Sequence, residues 1–492
     1  MAKPIQVLFV SSEVEPFAKT GGLADVSAAL VLTIYNLGLE VRIMLPRYGS
    51  IKNTPSRLHD MIRLQGMEVP VGDKIYKANV KSSFMFGTFT KVQVYLLDNA
   101  ELFGRPGLYI NPDTKRPYPD NDVRFIFFCR GVLEMLKKMG WQPDIIHCND
   151  WHTGLLPAYL KTLYKNDKFY KKTKSVFTIH NMAYQGEFPR STFAKTLLPP
   201  ETEPLIMHHD KVNFLKAGLM YADVLTAVSE KYAEEIQTTE DYGCGLQEVV
   251  KKRSRHLHGI TNGIDVEKWN PATDELIPQK YDIKTLDEKV ENKIALLQKM
   301  KLPYKPKTPL ISIVSRLADQ KGFDLIGEAL DKMMKMDIQF VVLGTGEKKY
   351  HQLLEKAAKK YPTKMAVALR FDEVLAHWIE AGSDMFLMPS RYEPCGLNQL
   401  YSMKYGTIPI VRATGGLDET VEQVHASKGT GTGFKFGPYT SAAMLEAIRK
   451  AVDVFADQET WRKIQRNAML KDYSWEVSAK KYIKLYQKLL HV

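Results

Sequence analysis

Cationic and acidic side chains recur directly after the predicted strands in the second half of this 492-residue chain. Arg316 follows one such strand and Glu393 follows another. Lys321 lies five residues after Arg316, at the predicted start of a helix, and its neighbour Gly322 lets a ligand approach the backbone closely. Two cations beside backbone amides at helix N-termini are the groups that hold a diphosphate, and Phe371 offers an aromatic face to a base. We therefore expect a nucleotide site at the carboxyl edge of this sheet.

Each of these residues also has an ordinary structural explanation. A single arginine such as Arg316 often forms a surface ion pair, and Phe371 taken alone fits a hydrophobic core. The sequence Gly344-Thr345-Gly346 is better explained by a tight turn between strand and helix than by ligand contact. The shared position of these residues at one sheet edge is what favours a binding site.

The same edge of the first half carries a glycine loop, a carboxylate and histidines. Lys19–Asp25 (KTGGLAD) joins the first predicted strand to the first helix, and its glycines permit conformations that a Cβ would forbid. Asp150 and His152 follow a later strand, and His180 follows the next. A flexible loop with a solvated lysine and a hydrogen-bonded structural histidine are the alternatives, and the residue types leave both interpretations open.

Alternating strand and helix patterns must position these side chains. A β-rich run at residues 5–10, a helical stripe at 23–37 and an apolar run at 39–45 predict a βαβ unit. The other predicted strands are 144–148, 175–179, 224–228, 310–314, 340–343, 365–369, 385–388 and 408–411. The other predicted helices are 155–163, 289–300, 441–455, 459–470 and 475–490.

This order predicts an α/β protein with two doubly wound, Rossmann-like domains in tandem. Residues 271–309 are rich in Pro, Lys and Asp and contain no clear strand. Because a TIM barrel needs eight evenly spaced units, this gap argues against one.

Composition excludes several classes of protein. With 45% hydrophobic and 10% aromatic residues, the chain is not disordered. Its cysteines form no CxxC pair, which indicates free thiols in a reducing compartment and no zinc site. No segment approaches the roughly 18 apolar residues of a membrane span, and the N-terminus lacks a signal pattern. We expect a soluble, cytoplasmic protein. The cysteines are Cys129, Cys148, Cys244 and Cys395.

Charge is less informative. The formal net charge is +12, which favours an anionic partner in general terms or reflects a solvated basic surface. No nucleic-acid-binding motif accompanies it, so no nucleic-acid partner is expected.

Several catalytic motifs are absent. The sequence contains no GxSxG elbow, HExxH pair or Walker A loop. Asp120-Asn121-Asp122 matches the DxD pattern of metal-dependent sugar transferases, but it lies among prolines and does not follow a strand. We therefore do not interpret it as a metal site.

Motifs along the whole chain resemble the bacterial and plant-type glycogen and starch synthases. The resemblance runs from residue 5 to the C-terminus, and its most specific parts are KTGGLADV and EPCGLNQ. In chain order the motifs are Lys19–Val26 (KTGGLADV), Asn149–Gly154 (NDWHTG), His180–Gly186 (HNMAYQG), Thr261–Asp265 (TNGID), Ser315–Gly322 (SRLADQKG), Pro389–Gln399 (PSRYEPCGLNQ) and Thr414–Val421 (TGGLDETV).

The resemblance implies a fold and a reaction. It implies a GT-B fold of two Rossmann-like domains across a deep cleft, with an acceptor-side domain at 1–260 and a nucleotide-sugar domain at 261–473. The C-terminal helix, within 474–492, is expected to pack back on the first domain. Glucose is expected to pass, with retention and without a metal or other cofactor, from ADP-glucose to the non-reducing-end 4-hydroxyl of an α-1,4-glucan.

The family motifs also imply roles for individual residues. Lys19 matches a lysine that binds ADP-glucose, and Gly22 lies against the donor diphosphate. Arg316 and Lys321 match the phosphate-binding pair. Glu393 matches the catalytic carboxylate that contacts the transferred glucose.

The remaining family roles concern the sugar, the base and the loops. His180 matches the histidine beside the anomeric centre, Asp150 and Asn262 match residues of the glucose and acceptor pocket, and Phe371 stands where the family has an aromatic residue against adenine. The other residues assigned to substrate binding are Gly21, Asp25, Tyr392, Cys395, Gly396, Leu397, Thr414 and Gly415.

Some alternatives stay open at this level. Glu393, held by Pro394 and a helix expected to begin at Gly396, is either a nucleophile or, as we favour, a stabiliser of the oxocarbenium-like state. Asn149 stands where many relatives have His, and we expect little effect. Competing activities are a UDP-glucose-dependent synthase and a phosphorylase-like enzyme with lysine-bound pyridoxal phosphate. A non-catalytic glucan-binding paralogue should have lost Glu393, Lys321 or Lys19, which this chain keeps.

Overall fold

The computed structural model describes residues 3–51, 57–86 and 91–491. The chain forms two compact units. The first consists of Met1–Val228, Ala233–Gly263 and Trp475–Val492, and the second of Ser229–Tyr232 and Ile264–Ser474. Of the predicted domain ranges, residues 1, 2, 52–56, 87–90 and 492 lie outside the described residues.

The large sheet of the first unit is doubly wound. Its strand order is β13-β12-β8-β7-β1-β2-β6-β5-β3, with β4 paired to β5. The pairs from β13 to β6 are parallel, and β3, β4 and β6 pair antiparallel with β5. Strands β9–β11 form a separate small sheet. The strands are β1 (Gln6–Val10), β2 (Glu40–Pro46), β3 (His59–Asp60), β4 (Met67–Val71), β5 (Lys74–Phe86), β6 (Lys91–Asp98), β7 (Ile145–Asn149), β8 (Lys174–Ile179), β9 (Glu187–Pro189), β10 (Met207–His208), β11 (Lys211–Asn213), β12 (Val224–Ala227) and β13 (Leu257–Gly259).

Helices connect these strands. The longest, α3, ends at a left-handed Gly140 whose amide donates to two carbonyls of the last turn. The helices of this part of the chain are α1 (Gly22–Asn36), α2 (Ala100–Phe103), α3 (Asn121–Met139), α4 (Leu155–Lys161), α5 (Thr192–Thr196), α6 (Glu203–Ile206), α7 (Phe214–Tyr221), α8 (Glu230–Glu235), α9 (Glu240–Gly243) and α10 (Gln247–Lys252).

The sheet of the second unit is parallel throughout, in the order β16-β15-β14-β17-β18-β19. Numbered from β14, this is the order 3-2-1-4-5-6 of dinucleotide-binding sheets, with the switch point between β14 and β17. Every residue of β15 and β17 is buried, because helices cover both faces of the sheet. The strands are β14 (Leu310–Val314), β15 (Gln339–Leu343), β16 (Met365–Ala368), β17 (Met385–Met388), β18 (Ile408–Arg412) and β19 (Phe434–Phe436).

The helices after residue 280 complete the fold. They are α11 (Lys289–Lys299), α12 (Phe323–Lys335), α13 (Lys348–Lys360), α14 (Glu373–Gly382), α15 (Asn398–Lys404), α16 (Gly415–Thr420), α17 (Ser441–Phe455), α18 (Gln458–Met469) and α19 (Trp475–Leu490). The last of these, α19, belongs to the first unit and packs against α1. Among the described residues, no helix is long and apolar enough to cross a membrane.

The predicted fold class is confirmed, and so are the predicted strands and helices. The short or antiparallel strands β3–β6, β9–β11, β13 and β19 were not predicted. The exposed side chains of β5 show why: this strand is solvated along much of one face and lacks the apolar run of a central parallel strand.

Two local expectations were wrong. The helix after Glu393 begins at Asn398 rather than Gly396, because Gly396 adopts a left-handed φ of 71°. Lys321 ends a short 3₁₀ turn, Asp319–Lys321, and α12 begins only after Gly322.

One short segment of the first half groups with the second unit. Ser229 Oγ donates to the Pro394 carbonyl at 2.6 Å. The Glu419 carboxylate accepts the backbone amides of Glu230 at 2.7 Å and Lys231 at 3.1 Å. These contacts explain why Ser229–Tyr232 groups with the second unit.

Candidate active site

A pocket of about 190 Å³ opens at the switch point of the second unit. Its walls include the ends of β14 and β17, which is where open α/β sheets bind ligands. The predicted residues that line it are Arg316, Lys321, Glu393, Gly396 and Leu397. The structure therefore brings together a cationic pair and a carboxylate that are far apart in sequence.

Lys321 and Glu393 form the polar centre of this pocket. Lys321 Nζ lies 2.6 Å from Glu393 Oε2, and Ser390 Oγ donates to the same oxygen at 2.9 Å. The Glu393 side chain is only 7% exposed, against 21% for Lys321. Because Lys321 and Ser390 fix its position, the carboxylate presents a defined negative charge next to a cation.

Two glycines, Gly415 and Gly416, pack against the backbone carbonyl of Glu393. Gly415 adopts a φ of 46°, and a Cβ built there would lie 2.0 Å from the Glu393 carbonyl oxygen. The amide of Gly416 donates to the same oxygen at 3.2 Å. Only glycine fits this contact, so the Thr414–Gly416 turn and the Glu393 turn are built around each other.

Gly322, next to Lys321, also packs closely against a backbone carbonyl. Its φ is 77°, and a Cβ there would lie 2.1 Å from the Pro389 carbonyl oxygen. The amide of Arg391 also donates to the Gln320 carbonyl at 2.8 Å. These contacts bring the lysine loop against the strand end that carries Glu393.

The other predicted residues of this unit occupy varied positions. The Phe371 ring is 81% exposed, so it is not a core residue. Cys395 is buried, and so is Thr414, which precedes α16. The Tyr392 carbonyl accepts from Gln320 Nε2 at 3.4 Å.

The glycine turn after β15 supports the structural explanation given above. A Cβ on Gly344 would lie 1.9 Å from the Ser315 carbonyl oxygen, and one on Gly346 would lie 2.2 Å from the Leu317 carbonyl oxygen. Close backbone packing is sufficient to account for both glycines.

In the first unit, Asp150 and His180 meet at the ends of β7 and β8. Asp150 Oδ1 accepts the His180 amide at 2.7 Å. Asp150 adopts a left-handed φ of 55°, which is uncommon for a residue other than glycine and turns the chain sharply after β7. Burial raises the pKa of the Asp150 carboxyl to about 7.

Asn149 sets the protonation of His180. Its Nδ2 donates to the Val10 carbonyl at 3.0 Å, so its Oδ1 is the acceptor that faces His180 Nε2 at 2.9 Å. Nε2 of His180 therefore carries the proton, and Nδ1 is the acceptor nitrogen. Burial lowers the pKa of His180 to about 3, so the imidazole is neutral near pH 7. The contact with Asn149 therefore determines which imidazole nitrogen of His180 carries the proton.

The glycine loop of the first unit carries an ion pair at its start. Lys19 Nζ lies 2.6 Å from Asp25 Oδ1, and the Lys19 side chain is 36% exposed. Gly21 precedes α1, and Gly22 is its first residue. A lysine therefore stands at the N-terminus of a helix, which is the arrangement that attracts an anion.

Asn262 is buried at the end of the first unit. Its amide donates to the Val228 carbonyl at 3.2 Å. Within the described chain, its side-chain Oδ1 has no hydrogen-bond partner in the protein.

The rejected DxD carboxylates are engaged elsewhere. Asp120 makes a two-pronged pair with Arg105, at 2.7 and 2.6 Å. Asp122 is buried and accepts from Lys195 and Thr192, each at 2.7 Å. Both side chains are accounted for by structural contacts at the start of α3.

Two protein-family models match the chain, one in each half. A family model described as starch synthase catalytic domain matches residues 6–252, and one described as glycosyl transferases group 1 matches residues 297–469. The chain is 44% identical to the glycogen synthase of Desulforudis audaxviator over 99% of this chain and 96% of that protein. It is 43% identical to that of Moorella thermoacetica over 100% and 98%. The chain belongs to the glycogen and starch synthase family.

Solved structures of glycosyltransferases agree. The catalytic domain of Starch Synthase IV from Arabidopsis thaliana, determined bound to ADP and acarbose, matches with a TM-score of 0.89, 31% identity and complete coverage of both chains. Sucrose-phosphate synthase from Thermosynechococcus elongatus shares the fold alone, with a TM-score of 0.62 and 17% identity. As a member of the glycogen and starch synthase family, the protein is a glycosyltransferase with the GT-B fold.

Sequence reasoning missed some residues that contact the candidate site residues within each unit. Ser390 appeared only as part of a strand-end run, and nothing in the spacing indicates that its hydroxyl meets Glu393. Glu13 and Tyr109 were not singled out. Glu13 accepts the amide of Thr20 in the loop of Lys19, and Tyr109 donates to Glu13. An acidic residue soon after the first strand was the available signal for Glu13.

Proposed function

We propose that this protein is a glycogen synthase that transfers glucose from ADP-glucose, with retention, to the non-reducing-end 4-hydroxyl of an α-1,4-glucan. The observation that carries the proposal is the Lys321–Glu393 pair, with Arg316, in a pocket at the switch point of a dinucleotide-type sheet. The similarity to the glycogen synthases of Desulforudis audaxviator and Moorella thermoacetica and to the ADP-bound starch synthase structure supports the same assignment.

Arg316 and Lys321 are assigned to the donor diphosphate. When the bond between the anomeric carbon and the phosphate oxygen breaks, negative charge builds on the departing ADP. Cations that are already in place stabilise this charge without reorganisation. In the same step the acceptor hydroxyl forms a new bond to the anomeric carbon, and its proton passes to the departing phosphate.

Glu393 is assigned to the opposite charge. The anomeric carbon gains positive character in the transition state, and a fixed carboxylate stabilises it or binds the sugar hydroxyls. The exposed Phe371 ring is assigned to the adenine face. No metal is needed in this scheme, because Arg316 and Lys321 supply the positive charge.

The first unit is assigned to the sugar and the acceptor. A neutral His180 can accept a hydrogen bond from a sugar hydroxyl through Nδ1, and Asp150 holds its backbone in place. Lys19 is assigned to the donor and Asn262 to the sugar pocket, where its buried Oδ1 offers an acceptor for a hydroxyl. We also propose a cytoplasmic protein, because the four cysteines are free thiols.

A transfer assay with labelled donors tests the proposal. ADP-glucose and UDP-glucose are compared with glycogen as acceptor, each with and without EDTA. We expect the higher kcat/KM with ADP-glucose and the same rates in EDTA. A preference for UDP-glucose would refute the donor assignment, and activity that is lost in EDTA and restored by Mg²⁺ or Mn²⁺ would refute metal independence. A visible absorption band from pyridoxal phosphate would indicate a phosphorylase instead.

A further inference from the structure

We infer that Glu13 is a positioning residue for donor binding, because its buried carboxylate shapes the loop Lys19–Gly22, here called the donor loop. The inference rests on the proposed function, in which Lys19 and Gly22 contact ADP-glucose. Glu13 itself is 4% exposed and lies just after β1.

Both oxygens of Glu13 are used by the loop and its support. Oε2 accepts the amide of Thr20 at 2.5 Å and the amide of Gly21 at 3.2 Å. Oε1 accepts the Thr20 hydroxyl at 2.7 Å and the Tyr109 hydroxyl at 2.8 Å. One side chain therefore holds two consecutive backbone amides directly before α1.

Within the residues that the structure describes, this carboxylate is not held by an ion pair. Within the described part of the chain, no lysine or arginine lies within ion-pair distance of Glu13. Buried carboxylates are costly unless charged partners or several hydrogen bonds compensate the lost hydration. Here the compensation comes from donors of the loop itself, so forming the loop and burying the charge are one event.

Tyr109 orients the second oxygen. A carboxylate only accepts hydrogen bonds, so the Tyr109 hydroxyl donates to Glu13 and Ser12 Oγ donates to Tyr109 at 2.8 Å. Burial, with a contribution from the Glu13 charge, raises the pKa of Tyr109 and keeps this hydroxyl protonated. The donations from Ser12 and Tyr109 therefore end on the Glu13 carboxylate, which also accepts from the donor loop.

The position of the braced amides determines what Lys19 can do. Thr20, the next residue, is bonded to Glu13 through both its amide and its hydroxyl, whereas the Lys19 side chain stays partly exposed and pairs with Asp25. The backbone under Lys19 is thus fixed while its ammonium group can exchange Asp25 for a ligand. Loss of Glu13 should release the loop and weaken donor binding more than the chemical step.

The test compares three variants. Glu13→Ala removes every contact. Glu13→Gln keeps one oxygen for the two amides, but its amide nitrogen cannot accept from the hydroxyls of Thr20 and Tyr109. Asp223→Asn is the control, because Asp223 also accepts an amide and a hydroxyl, both from Ser175, at the amino edge of the same sheet. Unlike Glu13, Asp223 also forms an ion pair, with Lys161 at 2.5 Å.

Steady-state kinetics, the thermal midpoint and hydrogen exchange of residues 17–25 are measured for each variant. We expect Glu13→Ala to raise the KM for ADP-glucose roughly tenfold with kcat changed less than threefold, and Glu13→Gln to fall between Glu13→Ala and the wild type. Amide exchange in the donor loop should accelerate in both Glu13 variants. Asp223→Asn should lower the thermal midpoint and leave the KM for ADP-glucose unchanged.

Two results would overturn the inference. A KM for ADP-glucose that is lower in Glu13→Gln than in the wild type would show that the Glu13 charge repels the diphosphate rather than shaping the loop. An unchanged KM and unchanged loop exchange, with only a lower thermal midpoint as in Asp223→Asn, would reduce Glu13 to a folding residue. If Glu13→Ala does not fold, the Gln variant decides. Hydrogen exchange needs no donor, so an inactive wild type would refute the proposed function while loop ordering is still measured.

Discussion

Asp150 combines a buried carboxyl group with a left-handed backbone in the first unit. Because burial raises its folded-state pKa to about 7, the folded protein binds a proton that the unfolded chain, with a pKa near 3.8, does not. The stability that this proton contributes is fully present below pH 3.8 and is lost as the pH rises through about 7.

Replacing Asp150 by Asn should therefore stabilise the protein at high pH. Asn can still accept the His180 amide and tolerates positive φ, but it carries no buried charge. We expect Asp150→Asn to gain on the order of 2 kcal/mol relative to wild type between pH 5 and pH 8. Transfer activity should fall if the carboxylate serves the sugar site. Denaturant unfolding at both pH values measures the gain, and a stability difference that does not change with pH would contradict the raised pKa.

Glu393→Gln separates the two roles open to the Glu393 carboxylate. Gln keeps an acceptor for Lys321 and Ser390 but removes the charge. A stabilising role predicts a loss in kcat on the order of 10²–10³-fold, as for one preorganised electrostatic group. The wild type should then show no covalent sugar on this residue.

Mass spectrometry of the wild type during turnover provides the decisive check on Glu393. A glucosyl adduct on Glu393, together with near-total inactivity of the Gln variant, would establish a nucleophile and contradict our choice. Full activity of Glu393→Gln would exclude both roles.

At the scale of elements, the Thr414–Gly416 turn depends on one missing Cβ. Ala at position 415 would place its Cβ 2.0 Å from the Glu393 carbonyl oxygen in a left-handed backbone. We expect Gly415→Ala to destabilise the protein by about 1–3 kcal/mol and to lower kcat at least tenfold, because the turn that presents Glu393 must shift. Thermal unfolding and initial rates measure both effects.

Gly437→Ala is the control for this substitution. Nothing lies within 4 Å of a Cβ built on Gly437. The control should leave rates and thermal midpoint near wild type. If Gly415→Ala behaves in the same way, the turn is not built around this contact.

Which elements could be predicted follows from how they are buried. Strands such as β15 (QFVVL) are covered on both faces and appear as short apolar runs, so periodicity identifies them. Strand β5 pairs antiparallel with β6, and buried and partly exposed residues alternate along much of it. Its own sequence does not indicate which strand it pairs with. The start of α15 was misplaced because the left-handed Gly396 is set by its surroundings.

At the scale of the whole chain, α19 joins the sheet of the first unit through a buried hydrogen-bond chain. Tyr486 Oη lies 2.6 Å from His147 Nδ1, and His147 Nε2 lies 2.6 Å from Thr178 Oγ1. Both rings are completely buried, and burial lowers the pKa of His147 to about 3. The last helix is therefore tied to β7 and β8, which precede it by hundreds of residues.

Tyr486→Phe should destabilise the protein, because it removes the hydrogen bond between Tyr486 and His147. His147 Nδ1 would be buried without its partner, which costs about 1–3 kcal/mol. We expect a lower thermal midpoint and an unchanged KM for ADP-glucose. Tyr35→Phe, on a half-exposed side chain of α1, is the control and should have little effect. An unchanged midpoint in Tyr486→Phe would show that water or another donor replaces the hydroxyl.

The sequence by itself determined the order of the motifs, the two doubly wound halves and the residue types at the strand ends. Apolar runs and helical stripes are local, so each is legible in a few neighbouring residues. The edge on which Arg316, Lys321 and Glu393 stand follows from strand direction alone.

Only the tertiary structure decided the contacts between distant residues. Lys321 pairs with Glu393, which is 72 residues away in the sequence. Asn149 determines the tautomer of His180, 31 residues away, and Tyr109 donates to Glu13, 96 residues away. Each contact depends on side-chain distances that arise when loops from different strands pack together. Such distances leave no periodic trace in the chain, whereas burial on both faces of a parallel strand does.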